Sequence, residues 1–333
     1  MKIIYLLLWA IFSPCFAANL KEDFLQKYRA GIPHWMQVQA EQDLSSYTGP
    51  ISLRKLCDYY ESSSAELYII KISIINNEVS FDYKGLRNEG IDYRLWGYKE
   101  ALRVISETVG LPDTVILLSM HDAFSSPNKE TPVFSMCRRV YESSILVPDF
   151  EALRERFQVL PKRDLTKYEP RWETKKDLLV WRGSTAQASL DGELMRSDNI
   201  DRFSRVILCK LSQEYPELID ARFTFFAQGG EKVPALQAFK ADQMPFEKMI
   251  QYKYQLFVDG NVSPYSASGW KFFSNSLVFK ADSPCVQWYF GVLKPYEHYV
   301  PVKADLSDLV EKIRWAQHNE SVARTIAKKC REF

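Results

Sequence analysis

The sequence predicts an α/β protein of two domains. Three observations point there. Short apolar runs alternate with segments of helical period along most of the chain. Its 333 residues are enough for two hydrophobic cores of ordinary size. The stretch 252–280 reads by itself as strand, loop, helix and strand, the repeating unit of a parallel sheet.

Residues 1–18 differ in kind from the rest. Lys2 precedes an apolar run over 3–12 that is too short to span a bilayer, and small residues follow at Ala17 and Ala18. This pattern predicts a secretory signal peptide, with a membrane anchor or a buried first helix as the alternative. No later segment is apolar enough to cross a membrane, so the mature chain is expected to lack a transmembrane helix.

An N-terminal domain is expected over 19–165. Leu20, Phe24 and Tyr28 share one face of a helix over 19–30, which Gly31-Ile32-Pro33 interrupts. Short helices follow over 34–40 and 52–60. The run 65–74 is a strand that Asn76-Asn77 turns back into a strand over 79–83. Ala101, Leu102, Ile105 and Val109 recur at helical spacing over 98–109, with Gly110 as the stop. A buried strand over 115–120 ends in His121-Asp122, and further strands are expected over 133–136 and 145–149.

The charge-rich segment 151–176, broken by Pro161 and Pro170, reads as the connector. A C-terminal domain is expected over 166–333. The strand 178–182 runs into Gly183-Ser184-Thr185, a helix covers 202–215, and a strand covers 218–223. The strand 252–258 ends at the turn Asp259-Gly260-Asn261. A small-residue loop then leads to a short helix opening at Trp270, with Ser268 and Gly269 as start residues, and to a strand over 276–280. Helices over 305–316 and 320–329 close the chain.

Composition excludes some classes. A net charge of +1 gives no reason to expect nucleic acid or an anionic membrane as the main partner. Five cysteines remain beyond the leader, an odd and widely spaced set, so at most two disulfides can form. No CxxC or Cys/His spacing suggests a metal. Asn261-Val262-Ser263 and Asn319-Glu320-Ser321 fit the N-glycosylation pattern and are read as chance.

Three pieces of the second half carry a resemblance: KYQLFVDGN at 253–261, SNSLVFK at 274–280, and LKPYEHYVPVKADLSDL at 293–309. The last is the most specific, since no generic fold requires that order. Together they resemble the signature of glycosyltransferase family 90, which includes capsule-associated and lipopolysaccharide-modifying enzymes and protein O-glucosyltransferases of the secretory pathway. The resemblance covers roughly 111–329. It implies a GT-B type fold, with two Rossmann-like domains facing a central cleft, and an inverting transfer. The donor implied is a UDP-sugar, UDP-glucose or UDP-xylose by family habit. The acceptor is a hydroxyl of a glycan, lipopolysaccharide or protein serine.

Family roles fall on particular residues. Leu111-Pro112-Asp113, the apolar strand and Asp122 match the strand that carries the catalytic base, a general-base role for Asp122. The alternative is an Asx-turn or cap aspartate. His121 is then a neighbour or an acceptor contact. Arg182, Gly183 and Ser184 resemble the family's element for the donor diphosphate, with Trp181 beside it; a surface arginine and a turn is the alternative. Arg205 matches a basic position that also faces phosphate. Lys271 is the nearest cation where the family commonly has arginine, a point charge in place of a fork. Asp259 is a donor-binding carboxylate for ribose or sugar hydroxyls, and Tyr265 and His298 are further donor or acceptor contacts, although His298 between two tyrosines also fits a satisfied buried histidine. No DxD motif is present, so arginines and helix dipoles are expected to hold the diphosphate without a metal or other cofactor.

Two readings follow: an inverting glycosyltransferase, or a non-catalytic carbohydrate- or protein-binding relative that kept the fold. A used leader places the protein in the secretory pathway, in the periplasm or outside the cell. An unused one leaves it at the cytoplasmic face of the envelope, where lipopolysaccharide-type relatives work.

Overall fold

The structure is a computed structural model, and it describes residues 20–47, 51–63, 68–85, 88–154, 169–187, 193–265 and 270–332. The leader, most of the connector and the start residues Ser268 and Gly269 lie outside the described residues. In chain order the elements are α1 (Leu20–Ala30), α2 (His34–Ser45), α3 (Leu53–Ser62), β1 (Ile69–Ile75), β2 (Glu78–Asp82), α4 (Glu89–Thr108), β3 (Thr114–Ser119), β4 (Phe134–Ser135), β5 (Arg138–Arg139), β6 (Ile145–Leu146) and α5 (Phe150–Arg154). Then come β7 (Lys176–Ser184), α6 (Ser204–Glu214), β8 (Ile219–Phe225), α7 (Phe246–Met249), β9 (Tyr252–Phe257), β10 (Leu277–Ala281), β11 (Cys285–Val286), β12 (Val300–Val302), α8 (Leu309–His318) and α9 (Glu320–Glu332). The chain is α/β and divides into two compact units, Met1–Asp164 with Pro284–Val292, and Leu165–Ser283 with Leu293–Phe333.

The first unit is built on a mixed sheet in the order β2-β1-β3-β4-β6. β1 runs antiparallel to both β2 and β3, while β3, β4 and β6 are parallel. Asn76 and Asn77 explain the first antiparallel pair. Both take positive φ, +51° and +66°, the conformation of a tight two-residue hairpin. Asp113 accepts a hydrogen bond from the Asn76 amide at 2.7 Å, and the Asn77 side chain accepts one from the Leu111 amide at 2.8 Å. Leu111-Pro112-Asp113 therefore pins the hairpin turn to the start of β3.

α4 starts nine residues before the expected 98. Asn88 caps it by accepting from the Ile91 amide, and Glu89 and Asp92 in the first turn suit the helix dipole. At its other end Gly110, at φ +75°, returns its amide to the Ile105 carbonyl, a close that only glycine makes without strain. Its buried residues are Ile91, Leu95, Gly97, Tyr98, Ala101, Leu102, Val104 and Ile105. The Pro284–Val292 segment belongs to this unit: β11 pairs antiparallel with β5, and Trp288 stacks on Trp35 at 5.7 Å.

The second unit carries a five-stranded parallel sheet, β12-β10-β9-β7-β8. Every residue of β9 is buried, as expected of a central strand covered on both faces. Trp181, Phe203, Phe223, Tyr254, Phe279, Ile313 and Ile326 share one core. Each such large apolar side chain contributes roughly 1.5–3 kcal/mol by leaving water. The helix expected from 305 starts later, at Leu309. Asp305 and Asp308 instead close turns, accepting from the Ser307 and Lys303 amides. Cys57, Cys137, Cys209, Cys285 and Cys330 are all free thiols. Among the described residues no helix is long and apolar enough to cross a membrane.

Candidate functional site

The residues singled out by sequence fall into two groups, one in each unit. In the first unit the group sits past the C-terminal end of β3. Ser119 turns the chain there by accepting from the His121 amide at 3.2 Å. His121 Nδ1 lies 2.9 Å from the Ala123 oxygen, which fixes the ring locally. The Asp122 carboxylate forms an ion pair with Arg94 from α4, Nη2 to Oδ1 2.8 Å, and its side chain is 35% exposed. The same guanidinium donates from Nη1 to the Met120 oxygen at 2.7 Å and lies 4.9 Å from the Phe150 ring centroid. An oriented, accessible carboxylate at a strand end can take a proton from an approaching hydroxyl. Arg94 carried no signal in the sequence, since it lies ahead of the helix expected over 98–109 and only the structure places it in α4.

In the second unit the group gathers at the C-terminal ends of β7 and β9. Arg205, in the first turn of α6, is buried among main-chain oxygens. Its Nε donates to Asp259 at 2.8 Å, and its Nη1 donates to Ser184 and Ala186 at 3.1 Å each. Gln187 accepts from the Arg205 amide and donates to Ser204, closing the helix start. Burial lowers the Arg205 pKa to about 10, opposed by the Asp259 charge. Gly260 passes so close that a Cβ there would lie 2.7 Å from Arg205 Nη2. The Asp259 carboxylate accepts a hydrogen bond from Ser283 Oγ. Asn261 Oδ1 is buried with no hydrogen-bond partner among the described residues.

Lys271 lies beside β9. It is 4% exposed, its amine donates to the Leu256 oxygen at 2.6 Å, and burial with Arg205 nearby lowers its pKa to about 7. Arg182 is engaged inside the sheet. It pairs with Asp220 of β8, Nη2 to Oδ2 2.8 Å, and donates from Nη1 to the Trp181 and Asp220 oxygens. Trp181 is a core residue, 3% exposed and edge-on to Phe223, with its ring lying over Gly183. Tyr265 is 9% exposed. His298 accepts from the Lys294 amide at 3.0 Å within a tight turn, and burial, opposed by Glu297, lowers its pKa.

The structure thus brings Ser184, Arg205, Asp259 and Lys271 together, while Arg182 and His298 have protein partners of their own. Sequence reading missed Asp220, Gln187 and Ser283, each of which serves one of these residues from a distant part of the chain. Among the described residues no cluster of three or more His, Cys, Asp or Glu is placed to hold a metal ion.

The family model of glycosyl transferase family 90 matches residues 36–333. Protein O-glucosyltransferase 3 of Homo sapiens is 30% identical over 274 residues, covering 78% of this chain and 49% of that protein. Protein O-glucosyltransferase 2 of Danio rerio is 27% identical over 311 residues, covering 89% of this chain and 57% of that protein. Protein O-glucosyltransferase 1 of Rattus norvegicus is 25% identical over 311 residues, covering 88% and 72%. The chain spans about half the length of the first two relatives.

Proposed function

This chain belongs to glycosyl transferase family 90, and we propose that it transfers a sugar from a UDP-sugar to a protein side-chain hydroxyl, serine the simplest acceptor. The match over 36–333 carries this reading, with Asp122 held as an accessible carboxylate at the end of β3. UDP-glucose and UDP-xylose are the donors to test first. The reading includes the GT-B type arrangement and a secretory location, which the leader-like residues 1–18 favour.

Transfer with inversion is one in-line displacement. The acceptor oxygen bonds to the anomeric carbon while its proton passes to Asp122. The bond from that carbon to the diphosphate oxygen breaks on the opposite face, and UDP leaves with the electron pair. General-base assistance of this kind contributes about 100-fold or more. In this reading the donor diphosphate sits at the C-terminal ends of β7 and β9, near Ser184 and Asp259, with Arg205 and Lys271 supplying positive potential. Arg182 must exchange its Asp220 partner to reach a phosphate. No metal is required.

A non-catalytic relative is the second reading. The observation that favours it is that Arg182 is paired with Asp220 and the Lys271 amine donates to the Leu256 oxygen, so both cations already have protein acceptors. Release of UDP from each donor, with a serine-bearing polypeptide as acceptor and with EDTA present, separates the two. Turnover in chelator supports the enzyme reading. Calorimetry showing no UDP affinity, together with no turnover, would sink it. Activity lost in EDTA and restored by manganese would overturn the metal-free part alone.

A further inference from the structure

We infer that Arg94 is the positioning residue of the transfer reaction, setting the place and orientation of the Asp122 carboxylate; this rests on Asp122 being the base. Three observations carry it. One guanidinium holds two points of the same strand end, the Met120 oxygen at 2.7 Å and Asp122 Oδ1 at 2.8 Å. Because the guanidinium is planar and rigid, these two bonds fix the carboxylate relative to the end of β3, as a flexible ammonium would not. Second, the guanidinium itself is held: the Phe150 ring lies 4.9 Å from its central carbon.

Third, the support beneath that ring is built in. Asp149 caps α5 by accepting from the Glu151 and Ala152 amides at 3.0 and 2.9 Å. Tyr93 meets Phe150 edge-on at 5.7 Å, and its hydroxyl donates to Glu151 at 2.7 Å. Gly97 lets α5 lie against α4, since a Cβ at that position would be 2.5 Å from the Leu153 Cβ. One turn of α4 therefore carries both the clamp and the glycine that seats its support. The arrangement leaves the Asp122 side chain 35% exposed, so the carboxylate is oriented without being closed off.

A base displaced by about 1 Å loses up to 100-fold in rate. Arg94→Gln is expected to lower kcat by about 10-fold or more with the KM for UDP-glucose unchanged. Arg94→Lys, which keeps the charge and loses the fork, is expected to recover only part of it. A double-mutant cycle gives the decisive readout. If Arg94 acts through Asp122, Arg94→Gln costs nothing further in kcat on an Asp122→Asn background. Additive losses, or a lower melting temperature with normal kcat in the folded fraction of Arg94→Gln, would assign Arg94 a merely structural role. Near-normal turnover in a folded Asp122→Asn enzyme removes the base assignment itself, and is distinguishable because it appears without any change at Arg94.

Discussion

Arg205 binds Asp259 through the main chain: its Nε donates to the Asp259 carbonyl oxygen at 2.8 Å, while the Asp259 carboxylate is turned to Ser283. The two residues are 54 apart in the chain. The pairing makes Arg205 a staple that joins the loops leaving β7 and β9, because the same guanidinium also holds the Ser184 and Ala186 oxygens. The shape of the candidate donor site therefore depends on a buried cation that does not use its neighbour's charge as its main ligand.

Arg205→Ala is expected to destabilise the fold by roughly 3–5 kcal/mol, because it strands buried main-chain acceptors that lose charge-assisted bonds. Arg205→Lys should restore only part, since one ammonium cannot reach three oxygens in the same geometry. Urea unfolding at constant m-value measures both. A loss below about 1 kcal/mol for the alanine variant would contradict the staple.

Gly183→Ala tests how tightly the end of β7 is packed. The added methyl carbon would lie 2.3 Å from Cζ2 of Trp181, whose ring is edge-on to Phe223 in the core. Overpacking of this kind costs about 1–3 kcal/mol. A lowered unfolding midpoint is expected, and a variant as stable as the parent would show that the Trp181 ring can move aside.

Lys271 gives a pH dependence with a definite sign. Its folded pKa is lowered to about 7, mainly by burial and then by Arg205, from an ordinary value of 10.5. Between these values the unfolded chain binds more protons than the folded one, so stability rises with pH across that window. The cost of burying the charged amine is fully present below about pH 7. Lys175, lowered to about 8 by burial against its pairing with Glu169, acts in the same direction. Lys271→Met is expected to flatten the rise in unfolding free energy from about pH 7 to about pH 9, leaving the smaller Lys175 part. An unchanged slope in that variant would assign the rise elsewhere.

Asp149 gives the opposite sign on the acid side. Its carboxyl is fully buried, Oδ2 has no hydrogen-bond partner among the described residues, and burial raises its pKa to about 6 from 3.8. In that interval the folded state binds the extra proton, so the contribution to stability grows as pH falls through about 6 and is lost above it. Asp149→Asn keeps the capping oxygen and removes the titration. Comparing unfolding midpoints at about pH 4.5 and about pH 7 should show a smaller difference in the variant than in the parent.

Much of the chain was legible from sequence because it rests on local periodicity. The run at 252–258, the helix at 320–329 and the strand at 178–182 depend on side-chain alternation and helical spacing that neighbouring residues display by themselves. The block 293–309 was enough to point to the family, and Gly110 and Asn76-Asn77 were readable as turn residues because their conformational needs are intrinsic. The start of α4 was misplaced by nine residues: Ile91 and Leu95 continue the helical spacing of Tyr98, Leu102 and Ile105, but Asn88 ahead of them was not read as the cap.

The partners of the chemical groups were decided by tertiary structure alone. Asp122 was marked by its place after a strand, but its guanidinium comes from α4, set by how that helix packs on the sheet. Arg182 looked free for phosphate until the parallel register of β7 and β8 put Asp220 within 2.8 Å. Arg205 and Lys271 read as cations facing phosphate, yet chain folding sets Arg205 among three carbonyl oxygens and Lys271 against the Leu256 oxygen, and burial lowers the pKa of each. Sequence determines which residues can donate, accept or titrate, because that is covalent chemistry. Which of them meet, and how much water remains around them, depends on contacts between segments far apart in the chain, and no local pattern encodes those distances.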